Sequence, residues 1–434
     1  MRIAYLSCVY PPYPGGIGVL AHGMAHEIAE RGYTAEVFTL RSKGLEQAIA
    51  QEAGLRSAEG PAHTPAKVKV NFINTVLRYG HAGWAPNLAR QLSRFDTVHL
   101  LYPFFGVAEI IPYLRARTKS KIVVHHTMDA MAEGVLGMIF RLYNQTLMPR
   151  IFKQAHLIIT LSEDYFRECD LTSVYAAMPA SPPIEFIPNG VDTKLFRPTS
   201  QSVISTKRPM RARGEISHAT PDNGVEIPRF ARNDKSVPII LFASGLDRAH
   251  YFKGVHVLIE AVRILKQRKV PCRGWIIGSG KMQKEYEAHA RVAGVLNAEC
   301  GIKRGACQFP EAHLEFLGLA HHQDMPDYYR QAAVAVVPST ARVECFSIVA
   351  AEAQACGVPA IVSDFPGVRV TVEDGKTGYV VRPGDPEALA DRIGEVIKNP
   401  EKSHAMGIAA RKRAVELYDW KIIGDKLEKI YKSI

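Results

Sequence analysis

The chain has 434 residues, of which 47% are hydrophobic and 22% are charged, and its formal net charge is +11 at pH 7. This composition predicts a globular protein of two or three domains, and no apolar run approaches the roughly 20 residues that a membrane-spanning helix needs. The positive charge favours anionic partners such as nucleotides, nucleic acid or an acidic membrane surface.

Two further features bear on the compartment. The seven cysteines show no repeated spacing, which argues against a disulfide framework and for a reducing compartment. The first strand meets Pro11 and Pro12 too early for a signal peptide. We therefore expect a cytoplasmic protein.

Strand and helix patterns alternate through the first half of the chain, which predicts an α/β domain with a mainly parallel sheet over residues 1–198. A helix is predicted from Ile17 to Glu30, closed by Arg31 and Gly32. The strand candidates are Ile3–Ser7, Glu36–Leu40, Thr97–Leu101, Lys121–His125, Leu157–Leu161 and Glu185–Ile187.

Residues 199–236 are rich in Ser, Pro, Arg and Asn and lack an apolar period, which predicts a flexible linker or insertion. A second α/β set follows over residues 237–404, and helices occupy the end of the chain, the last beginning near Trp420. The strands predicted for the second set are Val237–Ala243, Arg273–Gly278, Leu314–Gly318, Val334–Val337 and Ala360–Val362. Two such halves place a cleft between the carboxyl ends of their sheets.

The loop and helix after Val334–Val337 carry two glutamates. Glu344 lies in the loop, and Glu352 lies eight positions later, inside the helix. Free N–H groups at a helix start bind phosphate, and carboxylates accept hydrogen bonds from sugar hydroxyls. The predicted N–H donors are those of Phe346, Ser347, Ile348 and Val349. A diphosphate with a sugar at each end would fit this arrangement, although a chance glutamate pair on an ordinary βα unit is the alternative.

The whole block also resembles a known family. Pro338-Ser339 precede the two glutamates, and Ala355-Cys356-Gly357-Val358-Pro359 follow them, as in the donor site of retaining glycosyltransferases of family 4 (glycosyl transferases group 1). The resemblance covers most of the chain outside residues 199–236 and 295–312. It implies an α/β protein of the GT-B fold, with two Rossmann-like domains facing each other across a cleft. It also implies that residues 405–434 form a helix crossing back to the first domain.

A glycine loop, Gly15-Gly16-Ile17-Gly18, follows the first strand and opens the first helix. Glycines let a backbone approach a ligand closely. A dinucleotide-binding loop would require an acid at the end of the second strand, whereas Glu36 opens that strand. A purely structural turn is another interpretation. The resemblance instead implies a loop that faces the donor phosphate and the acceptor across the cleft.

In the second domain, Lys253 and Arg248 lie close after the first strand, and cations there can neutralise a departing diphosphate. Lys253 matches the Lys-Gly pair of the family. The family often carries an arginine directly after the loop glycine, here Gly245, and Arg248 is the candidate substitute, with a solvated loop charge as the alternative. Gly278 resembles the family's glycine turn beside the nucleotide base, although an ordinary βα turn explains it equally well.

His126 follows the strand Lys121–His125 and matches the family histidine that reaches the donor sugar. A histidine hydrogen-bonded in the core is the alternative interpretation. By strand alternation His125 points to the opposite face and is expected to be structural.

The resemblance implies retaining transfer of a sugar from a nucleotide-diphosphate sugar to a hydroxyl of a glycan, lipid or small molecule. The implied roles are Glu344 on the sugar, Glu352 on the ribose, and Lys253 with the helix start on the diphosphate. Neither a metal nor a cofactor is expected, and neither is a nucleic-acid partner. A nucleotide-sugar epimerase of the same fold and a non-catalytic nucleotide-sugar-binding protein are the alternatives.

The acceptor leaves little trace in the sequence. Residues 71–94 interleave Phe72, Tyr79 and Trp84 with arginines. Such a stretch indicates either peripheral contact with an anionic membrane, at its inner face, or a core-facing helix with charged outer residues.

Overall fold

The computed structural model describes residues 1–11, 15–41, 68–132, 134–178, 180–198, 237–296 and 311–434. Its strands form two parallel sheets, one in each half of the chain. Residues 199–236, predicted as a linker, lie outside the described residues.

The first sheet is built, within the described residues, from seven parallel strands in the order β3-β2-β1-β6-β7-β8-β9. Its apolar strands are buried because helices cover both faces. A short antiparallel hairpin, β4–β5, lies outside this sheet. The strands of this half are β1 (Arg2–Ser7), β2 (Thr34–Leu40), β3 (Lys69–Ile73), β4 (Leu77–Tyr79), β5 (Ala82–Trp84), β6 (Thr97–Tyr102), β7 (Lys121–His126), β8 (Leu157–Thr160) and β9 (Ile184–Phe186). The helices are α1 (Gly16–Glu30), α2 (Leu88–Leu92), α3 (Ile111–Arg117), α4 (Gly134–Thr146), α5 (Met148–Phe152), α6 (Glu163–Phe166) and α7 (Asp170–Ala176).

The second sheet has, among the described residues, six parallel strands in the order β12-β11-β10-β13-β14-β15. Its strands are β10 (Ile239–Ala243), β11 (Arg273–Ile277), β12 (His313–Gly318), β13 (Val334–Val337), β14 (Ala360–Ser363) and β15 (Gly378–Val381). The helices are α8 (Val255–Gln267), α9 (Gln283–Val292), α10 (Met325–Gln331), α11 (Ile348–Ala355), α12 (Pro386–Lys398), α13 (Pro400–Tyr418) and α14 (Trp420–Ser433).

The predicted α/β class is confirmed, since each sheet is parallel and each strand candidate forms a strand. One local alternative is wrong: residues 71–94 are not a single helix. They contain the end of β3, the β4–β5 hairpin and α2. Gly80 and His81 form the two-residue turn of the hairpin, and Gly80 has φ +57°, a conformation that glycine adopts without strain.

The last helix, α14, packs against α1 of the first domain although it follows the second domain in sequence. Arg31 donates a 2.7 Å hydrogen bond to Asp425, and Tyr431 Oη lies 2.6 Å from His99 Nδ1 in the core of the first domain. His99 Nε2 lies 3.4 Å from His125 Nδ1, so His125 belongs to this buried polar chain. The end of the chain therefore ties the second domain to the first.

The two domains also meet beside the cleft. The guanidinium of Arg369 donates to the Asp164 carboxylate at 2.7 Å, and the Gly367 N–H donates to the same carboxylate at 2.9 Å. Tyr165 and Phe346, one from each domain, lie in a single buried apolar cluster. These contacts hold the domains together on the side where the predicted site residues lie.

Candidate active site

Glu344 lies in the loop between β13 and α11, and its side chain is almost fully buried. Lys253 Nζ donates to Glu344 Oε1 at 2.7 Å, while Ser339 Oγ donates to Oε2. Both carboxylate oxygens therefore have a donor, and the Lys253 ammonium is held in place before any ligand arrives. An ion pair in a partly dry cleft interacts more strongly than one in water.

A glycine positions Lys253 beside this loop. The 3₁₀ segment Arg248–Lys253 ends at Gly254, which has φ +78°. A Cβ atom at Gly254 would lie 1.9 Å from the carbonyl oxygen of Pro338, closer than any side chain allows. Only glycine lets the two loops approach this closely, and this close approach places Lys253 against Glu344.

Helix α11 begins at Ile348 with Ser347 as its N-cap. Ser347 Oγ accepts a 3.2 Å hydrogen bond from the Ala350 N–H. This cap does not engage the N–H groups of Ile348 and Val349 in the same first turn, and a helix offers such N–H groups no intrahelical partner. The predicted phosphate cradle is thus centred on Ile348 and Val349, while Phe346 precedes the cap. The helix dipole adds partial positive charge at this end.

The glycine loop of the first domain faces this helix start across the cleft. A Cβ atom at Gly16 would lie 3.4 Å from Ile348 Cδ1. Gly15 caps α1, and Gly18 packs on Tyr10, so that a Cβ there would lie 3.3 Å from Tyr10 Cα. The structure therefore brings together the glycine loop, the start of α11 and the Lys253–Glu344 pair.

Glu352 lies on α11 four residues after Ile348, about one helical turn further along, and is also buried. Tyr329 Oη donates a 2.9 Å hydrogen bond to Glu352 Oε2, and His322 Nδ1 lies 3.8 Å from Oε1. Burial raises the pKa of Glu352 to about 8, although the Tyr329 hydrogen bond opposes the shift. Burial therefore favours the protonated form of the carboxyl group in the ligand-free protein.

This raised pKa makes stability depend on pH. Between the ordinary pKa of 4.5 and about 8, the folded protein binds one more proton than the unfolded chain, so stability falls as pH rises through this window. The glutamine of Glu352→Gln stays uncharged at every pH. We therefore expect the Tm of this variant to fall by less than the Tm of wild type when the pH is raised from about 5 to about 8. Thermal unfolding followed by circular dichroism measures the difference.

Glu395→Gln is the control for this measurement. The hydrogen bonds from Lys402, Tyr379 and Arg392 lower the pKa of Glu395 to about 2. Glu395 therefore stays ionised across the window, and none of these three partners changes charge there, so its variant should retain the wild-type pH dependence even where its Tm is lower. Equal pH dependence in Glu352→Gln and wild type would contradict the raised pKa.

His126 lies at the carboxyl end of β7, and its side chain is completely buried. Its ring stacks against Tyr102 and Tyr165, with centroids 5.8 Å away in each case. Nε2 lies 3.3 Å from Asp129 Oδ1. Burial disfavours the imidazolium, but Asp129 and Cys169 outweigh it and raise the pKa of His126 to about 9. In this conformation no ligand reaches the ring, so contact with the donor sugar stays a prediction.

His126, Asp129 and Cys169 also form a buried cluster of potential metal ligands. One ligand atom from each lies within 4.8 Å of the others. Cys and His bind zinc well, and a carboxylate can complete such a set. The expectation of a metal-independent enzyme therefore requires a direct test with a chelator.

The remaining predicted residues surround the Lys253 loop. A Cβ atom at Gly278, which has φ +139°, would lie 1.8 Å from the Ser244 carbonyl oxygen, so this turn packs tightly on the loop that contains Gly245. Gly245 itself lies against the ring of His250. Arg248 is exposed, and no ion pair joins it to another residue in the described part of the chain.

Several residues that complete the site were not predicted from the sequence. These are Ser339, Tyr329, His322 and His250. Ser339 was visible as half of the Pro-Ser pair, but its hydrogen bond to Glu344 was not. Tyr329 and His322 precede Glu352 by 23 and 30 residues, and only packing brings them to it.

Comparison with known proteins decides the family. Residues 14–195 match the family described as Glycosyltransferase Family 4, and residues 237–399 match the one described as Glycosyl transferases group 1. The chain belongs to glycosyltransferase family 4. Both halves of this glycosyltransferase are thus accounted for, and the matches leave out residues 199–236, the segment between them.

Two curated relatives align with nearly the whole glycosyltransferase. A D-inositol 3-phosphate glycosyltransferase from Xylanimonas cellulosilytica is 26% identical over 412 residues, which cover 92% of this chain and 87% of the relative. A GDP-mannose-dependent alpha-(1-6)-phosphatidylinositol monomannoside mannosyltransferase from Mycolicibacterium smegmatis is 24% identical over 426 residues, covering 97% and 96%.

Solved structures confirm the GT-B fold. Sucrose-phosphate synthase from Thermosynechococcus elongatus superposes with a TM-score of 0.71 at 19% identity, covering 100% of this chain and 98% of that one. HepE from Anabaena, solved in complex with UDP, superposes with a TM-score of 0.68 at 19% identity, covering both chains completely. The protein is a glycosyltransferase that uses a nucleotide sugar.

Proposed function

We propose that this glycosyltransferase transfers its sugar with retention of anomeric configuration and without a metal ion. The observation that carries the proposal is the approach of Gly16 to Ile348, beside the Lys253–Glu344 pair. A donor diphosphate at the start of α11 would lie between the glycine loop and Lys253. Its sugar would then lie next to Glu344, and its ribose would extend toward Glu352.

The proposed chemistry follows the movement of charge. The bond between the anomeric carbon and the phosphate oxygen breaks, and its electron pair stays on the diphosphate. Lys253 and the N–H groups of Ile348 and Val349 stabilise that developing negative charge. The acceptor oxygen forms the new bond on the face that the diphosphate leaves, and its proton passes to the departing phosphate. No carboxylate nucleophile is needed, since both glutamates are assigned to ligand hydroxyls.

For the acceptor we propose a hydroxyl of a glycan, lipid or small molecule, and inositol-containing acceptors come first for testing. The support is that the relatives at 24–26% identity are named for inositol 3-phosphate and for a phosphatidylinositol mannoside. An epimerase is a weaker candidate because the same relatives are named as transferases. A non-catalytic binder is weaker too, because Lys253 and Glu344 are both in place.

We expect purified protein to transfer sugar from one of GDP-mannose, UDP-glucose or UDP-N-acetylglucosamine to an inositol-phosphate or phosphatidylinositol acceptor in the presence of EDTA. Proton NMR of the first-formed linkage should show the donor's anomeric configuration. Loss of activity in EDTA that magnesium, manganese or zinc restores would contradict metal independence, and an inverted linkage would overturn the retaining mechanism. Turnover of the donor sugar to an epimer without acceptor would favour the epimerase.

A further inference from the structure

Helix α4 (Gly134–Thr146) exposes apolar side chains where a surface helix usually has polar ones. They recur at positions i, i+3, i+4 and i+7, the spacing of one helix face. We name this face the apolar stripe, and its members with their exposed fractions are Val135 75%, Met138 61%, Ile139 55% and Leu142 61%. A face with this period normally packs on the protein core, whereas here it points to solvent.

The opposite face of α4 fixes this orientation. Phe140 stacks on Phe105 with ring centroids 5.3 Å apart, and Tyr143 Oη donates a 2.7 Å hydrogen bond to Glu109. Gly137 is buried, and a Cβ there would lie 2.2 Å from the Ala132 carbonyl oxygen. The helix therefore cannot rotate its apolar stripe inward without losing these contacts.

A neighbouring element adds to this surface. The β4–β5 hairpin packs on the same phenylalanine, because the Gly83 N–H donates a 3.0 Å hydrogen bond to the Phe105 carbonyl oxygen. Val76 and Leu77, at the start of the hairpin, are 76% and 63% exposed. Two elements anchored on Phe105 thus expose large apolar side chains on the first domain.

The charge around these elements is positive. Residues 76–154 contain ten Lys or Arg and four Asp or Glu, and Arg141 is the single charged residue of α4 in the sequence. Arg115 and Arg117 on α3 and Arg150 on α5 are exposed, and α5 packs against both α3 and α4. Asp170 of α7, which accepts a hydrogen bond from Asn144 of α4, is an exposed acid beside the helix, so the surplus of basic charge lies toward α3 and α5. An apolar face next to this basic surplus fits the interface of an anionic lipid bilayer. It is a poor match for a second copy of itself, since like charges would meet.

We infer that α4 and the β4–β5 hairpin dock this glycosyltransferase on the surface of an anionic membrane, with the apolar stripe inserted below the headgroups. The inference deepens the proposed function, because it rests on that function for a lipid-borne acceptor. Helix α4 starts eight residues after His126, at the carboxyl edge of the first sheet, which is the edge that borders the cleft. Docking through α4 would bring lipid headgroups to the first-domain side of the site.

The test is co-sedimentation with vesicles of phosphatidylglycerol and phosphatidylcholine in equal parts, without donor or acceptor. Wild type should bind, and binding should weaken with salt and on vesicles of phosphatidylcholine alone. Met138→Glu/Leu142→Glu should lower vesicle affinity at least about tenfold, because two apolar side chains leave the bilayer and two negative charges meet it. Val292→Glu/Ile408→Glu, which changes exposed apolar residues of the second domain, should bind as wild type does.

The outcomes separate the alternatives. The inference is overturned if wild type does not bind anionic vesicles or binds neutral vesicles equally well. It is also overturned if the stripe variant binds anionic vesicles as tightly as wild type does. A wild-type dimer that the stripe variant converts to monomer, with no vesicle binding, assigns the stripe to a second copy instead. Because vesicle binding needs no turnover, it can succeed while the proposed transfer fails, or the reverse. Circular dichroism and Tm confirm that both variants fold.

Discussion

Lys253→Ala should lower kcat for sugar transfer by about 10²–10³-fold, the usual loss when one group that stabilises developing transition-state charge is removed. The ammonium lies 2.7 Å from Glu344 and is three-quarters covered, so water replaces it poorly. Because the diphosphate gains charge as the glycosidic bond breaks, the loss should fall mainly on kcat and less on donor KM. Initial rates at saturating donor and acceptor measure the effect.

Lys266→Ala is the matched control for this variant. Lys266 is a partly covered lysine of α8, in the same domain. Its Nζ donates a 2.9 Å hydrogen bond to the Gly294 carbonyl oxygen. Its removal should leave kcat within about twofold of wild type, because a partly exposed charge away from the cleft contributes little. A Lys253→Ala enzyme with near-normal kcat would show that the diphosphate is stabilised elsewhere, with Arg248 and His250 as the next residues to test.

Most of the fold could be predicted from the sequence because parallel α/β sheets have a strong local signature. Strands buried on both faces appear as short apolar runs, such as Val334–Val337, between helical segments. Residues 71–94 were harder, because aromatic and basic residues alternate there over stretches too short to show a period. The decisive local signal was Gly80, whose positive φ forms the hairpin turn, and a single glycine is ambiguous in a sequence.

Part of the site could also be predicted from the sequence, and part could not. Glu344, Glu352 and Lys253 could be proposed because each follows a strand at a spacing that the family resemblance specifies. The donors that saturate the glutamates come from elsewhere in the chain: Tyr329 reaches Glu352 from α10. Burial of His126 was available from the sequence only as the alternative to contact with the sugar, because the rings that cover it, Tyr102 and Tyr165, come from separate segments of the first domain. Contacts between distant segments leave no local pattern in the sequence.

Glu344→Gln should also lower kcat by about 10²–10³-fold while leaving the fold intact. The amide has the size of the carboxylate and still accepts the Ser339 hydroxyl, but it removes the charge that pairs with Lys253. Two consequences follow for the proposed mechanism. The sugar loses its charged hydrogen-bond acceptor, and Lys253 loses the partner that holds it beside the departing phosphate. Measurements of initial rates and of Tm should therefore show a large decrease in kcat and only a small change in Tm.

Glu315→Gln reverses this pattern and so provides the control. Glu315 is a buried glutamate of the same domain that pairs with Arg273 at 2.9 Å on β11, away from the cleft. Breaking that pair should cost about 1.5–3 kcal/mol of stability, the range for a charged hydrogen bond, and leave kcat near wild type. If Glu344→Gln instead loses stability and keeps its kcat, then the Lys253–Glu344 pair serves the fold. The sugar-orienting role would then have to move to another residue of the cleft.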